Sequence, residues 1–407
     1  MNQPSPSPIP LAKGAPAAPA LQGLPLLRLG FRPFYLGTAL LAFLSVPVWV
    51  GVFLGHMALP LGYPALLWHG HEMLFGFAAG VVMGFLLTAV RAWTDMTTAR
   101  GPLLGALALL WLAARVAAVA APYAVFAVLD LLLLPAVAVI LLRVLLRAGN
   151  KRNVPLVGLL LVMALANAVF HLSVMGVLGL SATSAMAALH AQLALVLMVI
   201  SVMTGRVVPM FTRNGTPGLV LEPPSRRFEL WLLGVTCAAF VLWVFAAPSA
   251  LVGVASLVAA LMHAMRLARW KPLATLPRPI LWVLHLSYLW MPIGFLLLAL
   301  AQWGFVAPSL AVHAFAVGVI GGLVIGMITR TARGHTGRPL KASTGEAIAY
   351  GSVLAAAAAR VLVPALRPEW SVMAYGVAAA LWSLAFGIYL AIYTPWLTRT
   401  RLDGKDG

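Results

Sequence analysis

The sequence holds one cysteine in 407 residues, and nine Asp and Glu against 27 Lys and Arg. A single thiol, Cys237, excludes intrachain disulfides, C-x-x-C-H covalent haem attachment, a Cys-ligated iron–sulfur cluster and a two-thiolate copper site. Any haem is therefore non-covalent. Charge is scarce as well: 9% of residues are charged and 62% apolar, whereas a water-soluble domain carries about 25% charge. So few charges cannot keep that much apolar surface in water, and the bilayer becomes the expected solvent. Residues 1–27 are rich in Pro, Ala and Ser and lack the continuous apolar run of a signal peptide. They read as a disordered, uncleaved tail.

Hydropathy with Gly, Pro and Arg punctuation predicts twelve helices, at 34–54, 66–90, 103–121, 123–145, 154–179, 185–208, 228–246, 250–267, 279–301, 308–329, 346–363 and 371–394. No span alternates polar and apolar residues as a barrel strand does, and a helix bonds all its backbone groups internally. The expected fold class is an all-α polytopic membrane protein. Its transmembrane domain covers 28–398, with 399–407 as a C-terminal tail.

A net charge of +18 in a soluble protein would suggest nucleic acid. Here 24 of the 27 basic residues fall in the two tails or after the even-numbered spans, all on one side. Arg115, Arg360 and Arg367 are left on the other. The positive-inside rule places both termini in the cytoplasm, so the excess reports insertion and calls for no nucleic-acid partner.

With that orientation five of the nine histidines reach one depth. His69 and His71 open span 2, His171 lies late in span 5, His190 early in span 6 and His313 early in span 10. His56 falls in the first outer loop, and His263, His285 and His335 lie toward the cytoplasm. A lone buried histidine is an ordinary packing residue, but five at one depth on four helices mark a functional site. Neutral imidazole is the usual axial ligand of non-covalent haem and a good copper ligand. The rival reading is a proton relay of His, Glu and Asp in a secondary transporter.

Spacing adds a repeat: His69 and His190 are 121 residues apart, His190 and His313 123. Each opens a long helix whose inner end is rich in Thr and Arg, which suggests three four-helix units about a pseudo-threefold axis, with spans 2, 6 and 10 central. Within Trp68-His-Gly-His-Glu72, positions two apart on a helix diverge by about 200°, so His69 and His71 cannot ligate one iron and would serve two centres. Glu72, three residues after His69, is expected on the His69 face, as a hydrogen-bond partner or proton carrier. Arg115, Asp130 and Arg360 also lie in the outer half. An arginine there needs a partner, which a haem propionate or Asp130 would supply.

Several stretches together resemble the NnrS family of bacterial inner-membrane proteins: Arg28-Leu-Gly-Phe-Arg-Pro-Phe-Tyr35, Trp68-His-Gly-His-Glu-Met-Leu-Phe-Gly-Phe77, Gly84-Phe-Leu-Leu-Thr-Ala-Val90, Asn167-Ala-Val-Phe-His171, Gly205-Arg-Val-Val-Pro-Met-Phe-Thr-Arg-Asn214, and His313 with Gly334-His-Thr-Gly-Arg-Pro339. The resemblance implies non-covalent haem b, one group or two, with copper, in a protein of denitrification and of the response to nitric oxide and nitrosative stress. It implies His69, His71, His171, His190 and His313 as haem or metal ligands, with Glu72 beside them; Arg115 and Arg360 as cofactor contacts rest instead on the need of an intramembrane arginine for a partner. An oxidoreductase like the nitric oxide reductases would draw electrons from quinol or a donor protein. The architecture is also similar to the core subunit of haem–copper oxidases and nitric oxide reductases, which carry ligands on helices 2, 6 and 10. It departs from them in having no adjacent His-His pair.

Overall fold

In hydrocarbon every peptide group must bond within its own segment, and the computed structural model, which describes residues 23–222 and 225–405, is built accordingly. Among the described residues there are twelve helices long and apolar enough to cross a bilayer, and no strand. They are α1 (Phe31–Phe53), α2 (Ala65–Thr94), α3 (Pro102–Ala120), α4 (Tyr123–Arg147), α5 (Lys151–Val174), α6 (Ala182–Gly215), α7 (Arg226–Val244), α8 (Ser249–Arg269), α9 (Pro279–Gln302), α10 (Pro308–His335), α11 (Thr344–Leu366) and α12 (Pro368–Leu397). Of the expected N-terminal tail, residues 1–22 lie outside the described residues, and Pro25–Leu27 form a single 3-10 turn.

The sequence-based ends differ most where a helix outruns the bilayer. α6 continues to Gly215 and α10 to His335, past the expected 208 and 329. The added turns carry Arg213, Arg330 and Arg333, which lower hydropathy without breaking backbone hydrogen bonds. α5 stops at Val174, short of 179, because Gly176 turns the chain with φ 66°.

Chain neighbours pack side by side from α3 round to α12, and α12 closes the ring against α1. Two bonds fix that closure: the Trp382 indole N–H donates to the Ala42 carbonyl at 3.0 Å and Ser383 Oγ to the Phe43 carbonyl at 3.0 Å. α2 and α10 are the most buried spans, and α6 packs against both. α2 approaches α1 through Gly84, where a Cβ would stand 2.8 Å from Phe34 Cβ. That close crossing is the usual work of small residues between membrane helices.

Two spans are not α-helical throughout. In α2, Glu72–Ala78 is π-helical, and in α10, Ala314–Gly321 is too. Each wide segment begins directly after a histidine, His71 and His313. Such insertions are rare, cluster at functional sites and reset the angular register of the helix beyond them.

Candidate functional site

The five histidines separate into two groups on opposite faces of α2. His69, His190 and His313, one each from α2, α6 and α10, line a cavity of about 380 Å³. Arg360 from α11 and Tyr375 from α12 complete one side, and Trp49 from α1 another. The His69 ring is stacked on Trp49, with centroids 4.7 Å apart and planes 7° apart. His190 is stacked on Trp243 at 4.4 Å. His313 Nδ1 bonds the Ser309 carbonyl at 2.7 Å, which makes Nδ1 the protonated nitrogen and leaves Nε2 with a free lone pair. His69 Nδ1 and Arg360 Nη1 are buried with no hydrogen-bond partner among the described residues. The Arg360 guanidinium lies over the Tyr375 ring, 4.2 Å from its centroid, and forms no ion pair among the described residues.

On the other face of α2, His71 and Glu72 meet Arg115 of α3, Asp130 of α4, and Asn167 and His171 of α5. All six are buried. Arg115 bridges the two carboxylates: Nη1 donates to Glu72 Oε1 at 2.6 Å, and Nη2 to Asp130 Oδ1. Asp130 Oδ2 is the hub. Asn167 Nδ2 donates to it at 2.6 Å, and the Nε2 atoms of His71 and His171 each stand 3.3 Å away. His71 Nδ1 reaches Glu72 Oε1 at 3.4 Å, and His171 Nδ1 hydrogen-bonds the Tyr123 hydroxyl at 2.9 Å. His71 Nε2 hydrogen-bonds Asn167 Oδ1 at 3.1 Å, so the network runs from Tyr123 through His171, Asp130 and Asn167 to His71 and Glu72. His71, Asp130 and His171 each present a ligand atom within 4.8 Å of the others, a two-nitrogen, one-oxygen set suited to a first-row transition metal. Tyr63 lies beside them in the loop before α2. Burial, reinforced by the Glu72 charge, pushes its phenol well above the ordinary range.

Glu72 is not on the His69 face. It is bonded to His71 and Arg115 and does not line the cavity. Three-residue spacing places residues on one face only while the α-helical increment holds, and the π segment begins at Glu72 itself. The Arg115 guanidinium supplies the electrostatic reason for its direction. Arg115 takes Asp130 and Glu72 as partners, not a group in the cavity, whereas Arg360 faces the cavity. His56 is exposed in the first loop. His263 is saturated by Tyr288 at 2.6 Å and Thr236 at 3.0 Å, and His285 Nε2 bonds Thr212 at 2.8 Å. Sequence reasoning missed Asn167, Tyr123, Trp49 and Tyr375. Only Asn167 carried a signal, four residues before His171 and so one turn along the same face.

The NnrS protein family matches residues 25–401, nearly the whole chain. No curated protein matches this chain.

Proposed function

This chain belongs to the NnrS family, and on that premise we propose that it is a haem-binding membrane protein of the nitric oxide response, with haem in the His69–His190–His313 cavity. The observation that carries this reading is the cavity itself. Three imidazoles from α2, α6 and α10 face one space, and two buried nitrogens there, His69 Nδ1 and Arg360 Nη1, lack partners. Its volume falls in the about 300–1,000 Å³ range of small-molecule sites. The donor set fits haem b: neutral imidazoles for iron, and a guanidinium for a propionate. His69, His190 and His313 are the residues that would hold the haem, and an imidazole not used for iron would be free to bond a ligand. Ferrous haem, when bound, supplies affinity for nitric oxide.

His71, Asp130 and His171 fit a second metal, copper in this reading. Asn167 orients the carboxylate and Tyr123 the His171 ring. Glu72 and Asp130 are both paired with Arg115 and would take part in proton delivery through the network around His71. If the protein turns over, two NO, two protons and two electrons give N2O and water, with electrons from quinol or a donor protein. The family and the twelve spans support a bacterial inner-membrane location with both termini cytoplasmic.

A second reading is favoured by the same polar network from Tyr123 to Glu72: a proton relay of His, Asp and Glu in a transporter. Pigment separates the two. Protein purified from iron-supplemented cells and reduced with dithionite should show a Soret band that moves on addition of NO. Colourless protein, or a band indifferent to NO, overturns the haem reading. Metal analysis should show copper that is lost in Asp130→Asn with the Soret band retained.

A further inference from the structure

A second cavity, of about 740 Å³, lies toward the other ends of α2, α6 and α10. On α10, seventeen residues separate His313 from Arg330, about 25 Å of helix rise. Arg152, Arg206, Arg330, Arg401, His335 and Trp93 contribute to its wall, and no Asp or Glu does among the described residues. Arg401 is already paired with Asp403 at 2.6 Å. Arg152, Arg206 and Arg330 form no ion pair among the described residues. Glu222 stands in an adjoining cleft that shares Arg152 and Arg206, and pairs with neither.

Two of these guanidiniums are held in place by groups that leave most of their N–H donors unused. Arg330, half-buried, lies 3.8 Å from the Phe211 ring centroid. Arg206 donates one hydrogen bond to Asn153 Oδ1 at 3.1 Å. Arg152 is near enough for its charge to act on Arg206. Three like charges gathered around one hollow repel each other unless an anion sits among them. Arg152 and Arg206 are exposed and Arg330 half-buried, so all three stay open to an anion arriving from outside.

We propose that this cavity binds a phosphate group. A carboxylate offers two oxygens in one plane and is satisfied by a single guanidinium fork. Forks arriving from α5, α6 and α10 match the tetrahedral set of terminal oxygens on a phosphate. Trp93 and Phe211 give the same cavity an apolar wall for whatever carries the phosphate. That carrier comes either from the aqueous phase, as inorganic or organic phosphate, or from the bilayer, as the headgroup of an anionic phospholipid.

The test is the melting temperature of the whole protein without added haem, so its outcome is independent of the histidine cavity. In detergent, inorganic phosphate is titrated against chloride at equal ionic strength. In nanodiscs, phosphatidylglycerol is compared with phosphatidylcholine. A saturable rise with phosphate identifies an aqueous ligand; a rise only with phosphatidylglycerol identifies a lipid headgroup. In either arm Arg330→Gln and Arg206→Gln should weaken the apparent affinity about tenfold or more, as expected for lost charge-assisted bonds, while the exposed Arg143→Gln leaves it unchanged. The proposal is overturned if neither arm stabilises the wild-type protein, or if the rise is the same in all three variants.

Discussion

His69 and His71, separated by one glycine, face different chemistry because a helix turns them about 200° apart. That division was legible in the sequence, and so were the histidines, since an ionisable group within an apolar span stands out. The bond between Arg115 and Asp130 was legible as one of two alternatives. Tyr123 was not, because a single polar residue on another helix has no periodic signature, and Asn167 carried only its four-residue spacing to His171. Nor was Glu72 placed correctly, since nothing in the composition of Glu72–Ala78 marks a π segment. The hub has a measurable consequence. Asp130→Asn removes one of two carboxylates from a buried guanidinium that keeps Glu72, so stability should fall by roughly 1–3 kcal/mol. Denaturant titration in detergent checks this, and a change within about 0.5 kcal/mol would mean that the network contributes nothing to the fold.

Among the elements, all twelve spans were visible in hydropathy because the bilayer imposes length and composition together. Their ends were less visible, because hydropathy reports the membrane edge while α6 and α10 run past it. The π segments of α2 and α10 begin directly after His71 and His313, about two turns into each helix. If the extra residue sets the register between the histidines and the rest of α2, deleting Met73 should rotate one part of the helix against the other by about 100°. His69 and His71, both before the deletion, then turn together against the rest of α2. Far-UV circular dichroism should be unchanged while haem or copper content is lost. Retention of both groups would show that the π segment is incidental to the sites.

Across the whole molecule, α2, α6 and α10 each contribute to both cavities, one lined by histidine and the other by arginine. The scarcity of acids has a second meaning at this scale. Of the nine Asp and Glu, Glu72, Asp130, Glu229 and Glu346 are spent on buried or partly buried arginines. Among the described residues, no Asp or Glu lines the Arg-lined cavity or the histidine cavity that Arg360 faces. The central claim is that His69, His190 and His313 form a haem site distinct from the cluster around Asp130. Haem per protein, measured as the pyridine haemochrome of iron-supplemented purified protein, tests it most directly across alanine variants of the five histidines. Loss of haem in His69, His190 or His313 variants, with His71 and His171 variants near wild type, is the expected result. Full haem content in all three cavity variants, or loss confined to His71 and His171, would contradict it.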